Sequence, residues 1–356
     1  MTEESVDDVV RDILDDSTTK GLPIVREWLS TGCTVLDLAL AGKYPGGLPV
    51  GRVSHILGAE SSCKTVLAAL ILGSAQRNGF VGHYADIEGA FDAQFAHDYY
   101  GIDVTDTKTF RYAMYDVVPQ DVESLFDAYL PMVLGLLEDK KSTKKKPPKS
   151  VVVIDSLSAL PAAIEVATKL ADKHRMTPRA ALLSEGFRKI IRPLIDANCT
   201  AVFIDQTRDN VGVMFGEKKT VSGGNALKFY SSTRIQLTPG MKIVDEHDIV
   251  VGVWVNFRVI KNKIAAPFAE GSFRILFQYG LDNITTSLFY LSVQQNGKDK
   301  AKNKTTKIKL FGEEKMLSTW VKHIEKGDLE SDLDQAVVET WDSIHKPEER
   351  KPRKWS

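Results

Sequence analysis

The chain has 356 residues, of which 43% are apolar, and carries 46 Lys and Arg against 47 Asp and Glu, for a formal net charge of −1 at pH 7. This length suits one large domain with appendages, or two to three domains around a sizeable core, while near-neutrality excludes a uniformly basic nucleic-acid binder, so any basic surface must be local. The absence of a run of about 18 apolar residues excludes a membrane-spanning helix, and Cys33, Cys63 and Cys199 show neither disulfide nor metal-ligand spacing, which suits a reducing cytoplasm and speaks against a structural zinc.

Val6, Val9, Val10, Ile13 and Leu14 recur at helical spacing and predict a short amphipathic helix over 4–15. The acidic start lacks the apolar core of a signal peptide; residues 1–25 read as an N-terminal helical segment. From about Ser30 to Leu291, apolar runs such as Val53–Leu57, Val81–Ala85, Val151–Ile154, Ala201–Ile204 and Ile249–Val259 alternate with helical stretches. That alternation predicts an α/β core, residues 26–285, around a mostly parallel central sheet. Lys140 to Lys149 (KKSTKKKPPK) reads as a surface loop. After Leu291 the composition shifts: six lysines fall between Lys298 and Lys309, and helical patterning runs from about Leu317 to Ile344. These features predict a small C-terminal domain over 286–345, and the basic tail 346–356 reads as disordered.

Gly58-Ala59-Glu60-Ser61-Ser62-Cys63-Lys64-Thr65 follows an apolar strand and opens a helix, the context that a phosphate-binding loop requires. Backbone N–H groups at a helix N-terminus make an anion site. Lys64 would reach the β- and γ-phosphates of ATP, and the Thr65 hydroxyl would hold Mg²⁺. Cys63 stands where the motif wants glycine, which restricts the loop's backbone; beside the Lys64 charge its thiol is expected to have a lowered pKa. Val151-Val152-Val153-Ile154-Asp155-Ser156 is an apolar strand ending in a carboxylate, and Asp155 would orient Mg²⁺ through a water.

Beyond these motifs the chain resembles the RecA recombinases. STGCTVLDLAL and GGLPVGRVSHILGAESSCKT are similar to the family's entry into its core, and Tyr84 to Asp92 (YADIEGAFD) to the segment carrying its catalytic glutamate. Gly212 to Arg234 resembles the second DNA-binding loop and the helix after it; Val259 to Phe268 (VIKNKIAAPF) resembles a run of bacterial-type members. The resemblance spans roughly residues 26–285 and implies an RecA-like ATPase core that forms helical filaments on single-stranded DNA and pairs it with homologous duplex DNA. It implies that Glu88 polarises the attacking water, that Asp92 and Phe95 contact adenine, and that Gln206 senses the γ-phosphate. Lys261 and Lys263 would reach a neighbouring subunit's phosphates. Phe277 would face a neighbouring subunit's base or, as an isolated phenylalanine in an apolar run, pack in the core.

Two loops would line the filament axis, at about Ala162 to Arg179 and Thr207 to Ser222. Binding a single strand needs cations along the phosphates and apolar groups against the bases. The second loop supplies Arg208, Lys218 and Lys219 around Val211, Met214 and Phe215, with Gly223 and Gly224 allowing close backbone approach; the first supplies Lys169 and Arg175, and Arg188 matches a phosphate contact in the following helix. Cys63, the lysine-rich insertion and the basic tail depart from the bacterial pattern and point to a phage or otherwise diverged member. Single-strand-binding or loader proteins are further expected partners. A hexameric DNA helicase on the same fold and a non-hydrolysing ATP-dependent DNA-binding scaffold are the competing readings.

Overall fold

The computed structural model describes residues 25–113, 117–135, 148–167, 179–209, 219–221, 226–301 and 306–345, so the expected N-terminal helix and basic tail lie outside the described residues. In chain order the elements are β1 (Trp28–Leu29), α1 (Thr34–Ala41), β2 (Leu48–Pro49), β3 (Val53–Gly58), α2 (Lys64–Arg77), β4 (Val81–Asp86), α3 (Ala93–Tyr100), β5 (Phe110–Tyr112), α4 (Val122–Ser124), α5 (Leu130–Val133), β6 (Ser150–Asp155), α6 (Ala163–Ala167), α7 (Arg179–Asp196), β7 (Cys199–Asp209), β8 (Lys219–Val221), α8 (Ala226–Tyr230), β9 (Thr233–Val244), β10 (Val250–Asn262), β11 (Glu270–Leu276) and β12 (Gly280–Leu281). The C-terminal part adds α9 (Asn283–Asn296), α10 (Lys298–Ala301), β13 (Lys307–Leu310), β14 (Glu313–Met316), α11 (Leu317–Gly327) and α12 (Glu330–Ile344).

The central sheet runs β12-β11-β10-β9-β3-β7-β6-β4-β5, with β8 on β7. From β9 to β5 all neighbours are parallel, whereas β10, β11 and β12 turn back antiparallel. The parallel half is legible as apolar runs because both its faces are covered. Val151 and Val153 join Val202, Ile204 and the α2 residues Leu67 and Ile71 on one face. Val152 and Ile154 join Ala201, Phe203 and the α7 residues Leu183 and Phe187 on the other. The antiparallel half is one long hairpin, β9 with β10, which the alternating pattern alone does not distinguish from another crossover.

The C-terminal segment shares the larger apolar cluster with the core: Ile308, Trp320, Ile324, Leu333, Val337 and Trp341 are buried with α1 and α9 residues such as Leu36, Leu288 and Leu291. The Trp320 indole donates to Ile308 O at 2.9 Å, pinning α11 under β13, and the Thr34 hydroxyl donates to Asp334 Oδ1 at 2.7 Å, tying α12 to α1. Among the described residues no helix is long and apolar enough to cross a membrane.

Gly73, mid-way along α2, is where that helix crosses the end of α3: a Cβ there would stand 2.1 Å from Tyr100 O. Helix propensity alone favours alanine by up to about 1 kcal/mol, but overpacking against a fixed carbonyl costs about 1–3 kcal/mol. Gly73→Ala is therefore expected to lower the urea midpoint; a midpoint equal to or above the parent's would show that the two helices are not in the close contact described.

Candidate active site and nucleotide cleft

β3, β4, β6 and β7 all end at one edge of the sheet, where a cleft of about 350 Å³ is lined by Glu60, Ser61, Lys64, Thr65, Glu88, Asp155, Ser156, Ile204 and Gln206. The phosphate loop leaves β3 at Gly58, whose missing Cβ makes room for the Ser62 hydroxyl and Leu237 O, 2.3 and 2.6 Å from where it would lie. The Ser62 hydroxyl donates to Ala59 O at 2.7 Å, as does the Lys64 ammonium, also at 2.7 Å. Burial holds Lys64 below the ordinary lysine range, against the opposing pull of Asp155 and Glu88. The loop then turns into α2 through two left-handed residues, Ser61 at φ 57° and Cys63 at φ 62°.

Cys63 thus occupies a conformation that costs a non-glycine residue roughly 1–2 kcal/mol. Its half-buried thiol makes no side-chain cap to the helix. Contrary to the expectation of a lowered pKa, burial pushes it up, and the Lys64 charge only partly offsets this.

Asp155 is buried at the end of β6, and its Oδ2 accepts from the Thr65 hydroxyl at 2.7 Å and the Tyr84 hydroxyl at 3.0 Å. Burial raises its pKa; those two hydrogen bonds lower it, and the nearby charges of Glu88 and Asp86 raise it. Glu88 is carried by the loop after β4: Asp86 accepts from Ala90 N at 3.1 Å and Phe91 N at 2.8 Å, closing that loop, and Ile87 N donates to Asp155 O at 2.7 Å. The Ser156 hydroxyl donates to Glu88 Oε1. Ser156, Tyr84 and Ile204 are site residues that sequence reasoning passed over; for Ser156 the signal was present, one position beyond Asp155.

A magnesium ion fits this donor set. Mg²⁺ is commonly held by one or two carboxylates together with substrate phosphates and waters. Here a hydroxyl and a carboxylate already touch beside a phosphate loop, and among the described residues no cluster of three or more His, Cys, Asp or Glu could hold a metal by itself.

Toward the base side, Asp92 caps α3 by accepting from Phe95 N at 2.7 Å. The exposed Phe95 ring lies 4.5 Å from Tyr99 and 5.4 Å from Tyr100 between centroids. Phe277 is not a core residue: it is 44% exposed, in the turn after β11, with its N–H donating to Val251 O at 2.9 Å. The backbone at Gly280 in that same turn region lies so close to α3 that a Cβ would meet Tyr99 O at 2.1 Å. The turn region that carries Phe277 thus passes close to α3, with the Phe277 side chain exposed.

Gln206 pairs with Gly58 in the β3–β7 register and lines the cleft. One residue later β7 continues as an antiparallel ribbon with β8, pairing Thr207 with Val221, Arg208 with Thr220 and Asp209 with Lys219. The expected open loop from Thr207 is thus a strand at its root. Val211, Met214, Phe215, Lys218, Gly223 and Gly224, and in the first loop Lys169 and Arg175, lie outside the described residues. Arg188 is exposed on α7. Lys149 pairs with Glu27 and lies over the Phe80 ring.

Lys261 and Lys263 are not in the cleft. Lys261 pairs with Arg234 at the start of β9, and Arg234 with His55, whereas the cleft begins at Gly58, three residues further along β3. The lysine therefore sits about 10 Å back along the sheet and about 10 Å across it from the root of the phosphate loop. Both ammonium groups face the C-terminal carbonyls of α8: Lys261 donates to Lys228 O at 2.6 Å and Phe229 O at 2.9 Å, and Lys263 to Phe229 O at 3.4 Å. Burial, with Lys263 and Arg234 beside it, pushes Lys261 down to about 8.

Residues 17–111 and 141–282 match the model of the RecA N-terminal domain. Protein RecA of Colwellia psychrerythraea is 35% identical over 288 residues, 81% of this chain and 75% of that relative. The chain belongs to the RecA family. It is accordingly an ATP-dependent recombinase and a DNA-dependent ATPase. RecA-family proteins bind ATP with Mg²⁺, bind DNA and assemble into filaments. A solved structure of the RadB recombinase overlaps 71% of this chain and 98% of its own at 18% identity, with a TM-score of 0.47. The relative named here is bacterial, and a phage source for this RecA-family chain stays an expectation.

A prediction follows from Cys63. Glycine adopts φ 62° without strain, so Cys63→Gly is expected to raise stability by about 1 kcal/mol in urea melts while keeping ATP binding. With its pKa raised, the parent thiol is mostly protonated at pH 8, and iodoacetamide should label it more slowly than free glutathione. Loss of ATP binding in Cys63→Gly, or labelling faster than glutathione, would contradict this account.

Proposed function

We propose that this chain hydrolyses ATP in clefts completed by adjacent subunits of a filament, and that Gln206 couples each cleft to single-stranded DNA held along the filament axis. One observation carries the reading: Gln206 lines the cleft on the strand that continues, without a break, into the ribbon bearing the second DNA loop. A change of a few tenths of an ångström at Gln206 is transmitted by strand pairing to Thr207 and Arg208, so nucleotide state and loop geometry are mechanically joined.

In the cleft, the backbone N–H groups at the start of α2 and the Lys64 ammonium bind the phosphates. Thr65, and Asp155 through a water, would hold Mg²⁺, which supplies charge neutralisation at the β- and γ-phosphate oxygens. Glu88 orients the attacking water and accepts its proton; the Ser156 hydroxyl holds one Glu88 oxygen and leaves the other to face the water. Asp92 and Phe95 contact adenine, and Phe277, exposed in the turn after β11, faces a neighbouring subunit's base. Lys261 and Lys263, at the far end of the sheet, act on the next subunit's phosphates as arginine fingers do elsewhere. Arg208, Lys218 and Lys219, with Lys169, Arg175 and Arg188, follow the DNA phosphates, while Val211, Met214 and Phe215 contact bases. The lysines of 298–309 offer a surface for the homologous duplex. Single-strand-binding or loader proteins belong to the same reading, as does a cytoplasmic location. The convergence of Lys64, Thr65, Glu88, Asp155 and Gln206 on one cleft speaks against a non-hydrolysing scaffold.

A mixing experiment tests the shared cleft. Lys64→Ala spoils a subunit's own phosphate loop but leaves Lys261 and Lys263 for a neighbour; Lys261→Ala does the reverse. Each variant alone should release phosphate slowly. In random co-filaments about one interface in four unites an intact loop with intact lysines, so activity should return on mixing. No recovery in filaments verified to be mixed would place the lysines outside the neighbour's reaction.

A further inference from the structure

Two tyrosine hydroxyls lie behind the cleft, on neighbouring strands and in register. Tyr84 of β4 pairs with Tyr112 of β5, and their rings share an aromatic cluster with Phe91, each 5.0 Å from it between centroids. For packing alone, phenylalanine would serve at both positions. Each hydroxyl is instead directed at a different buried acid. Tyr84 donates to Asp155 Oδ2 at 3.0 Å, the same oxygen that Thr65 holds at 2.7 Å. Tyr112 donates to Asp86 Oδ2 at 3.0 Å, the oxygen that also receives Phe91 N at 2.8 Å.

Asp86 and Asp155 sit directly opposite each other on β4 and β6, both buried, with Glu88 two residues beyond Asp86. Three carboxylates in so small a space repel one another unless donors fix and screen them. The two acids also have separate duties. Asp155 meets Thr65, the proposed Mg²⁺ hydroxyl. Asp86 closes the loop that carries Glu88 through its hydrogen bonds with Ala90 N and Phe91 N.

We propose that Tyr84 and Tyr112 are positioning residues with divided roles: Tyr84 sets the Asp155 carboxylate for Mg²⁺, and Tyr112 sets Asp86 and so the Glu88 loop. This rests on the nucleotide site proposed above. Neither tyrosine lines the cleft; each acts through the acid it holds. Asp155 would meet Mg²⁺ through a water, and losing a group that orients what surrounds a metal's own ligands commonly weakens metal binding by about 10-fold. A hydrogen bond that only orders a loop affects the reaction step by about fivefold.

The test uses the full chain, a fluorescent ATP analogue and a Mg²⁺ titration, with phosphate release and melting temperature measured alongside. Tyr84→Phe is expected to raise the Mg²⁺ concentration at half-maximal analogue binding about tenfold, with turnover recovering at saturating Mg²⁺. Tyr112→Phe is expected to leave that Mg²⁺ midpoint in place and to lower turnover about fivefold at every Mg²⁺ concentration. Unchanged midpoints in both variants would overturn the proposal, as would equal effects of both on the same constant. So would a Tyr84→Phe chain that melts where Tyr112→Phe stays folded, because the hydroxyl would then serve the fold. If analogue binding by the parent ignores Mg²⁺ altogether, it is the nucleotide-site reading that falls, not this division of roles.

Discussion

The parallel alignment of β3, β7, β6 and β4 is the constraint on which the rest of the chain depends. Because these strands point the same way, their C-terminal ends release Gly58, Gln206, Asp155 and Asp86 along a single edge. The hydrogen bond from Thr65 to Asp155 then closes the edge across the intervening β7. Every other feature of the cleft is held by one of these four strand ends: the left-handed phosphate loop by β3, the Glu88 loop by Asp86 of β4, Ser156 by β6, and the ribbon with β8 by β7. Burial supports this geometry. The β6 and β7 runs alternate between two apolar layers, α2 on one side and α7 on the other, so a slip of one residue would exchange the side chains packed in both layers at once.

The two ends of the same sheet carry different groups. The C-terminal edge of the parallel strands carries the subunit's own cleft. The opposite end, where β10 runs antiparallel to β9, carries Lys261 and Lys263 against the last carbonyls of α8. Lysines at a helix C-terminus are favoured by the helix dipole. Lys261, pushed down to about 8 by burial and its cationic neighbours, gains most from the approach of an anion. A neighbour's phosphate would supply that anion, and the helix after the second DNA loop is the element it would be drawn from.

Much of the cleft was legible in the sequence. Lys64, Thr65 and Asp155 stand out because a phosphate loop and an apolar strand ending in Asp are local patterns, each set by a few consecutive residues. Glu88, Gln206 and the adenine-side residues were legible only through the family resemblance. What stayed hidden depends on register between distant strands. That Tyr84 and Tyr112 aim at separate acids follows from the pairing of β4 with β5 and β6. That Phe277 is exposed rather than packed in the core follows from its place in the turn after β11. The raised pKa of Cys63 was missed for a different reason: sequence shows the adjacent lysine but not the burial, which outweighs it.

The central claim is that one subunit cannot complete its own ATP site. It is tested most directly by phosphate release per subunit across a dilution series, with assembly state followed in the same samples by mass photometry and with saturating ATP, Mg²⁺ and single-stranded DNA. The account predicts that the rate per subunit falls as filaments give way to single subunits, approaching that of Lys261→Ala in filaments. A rate per subunit that stays constant into the range where the protein is a single subunit would contradict it.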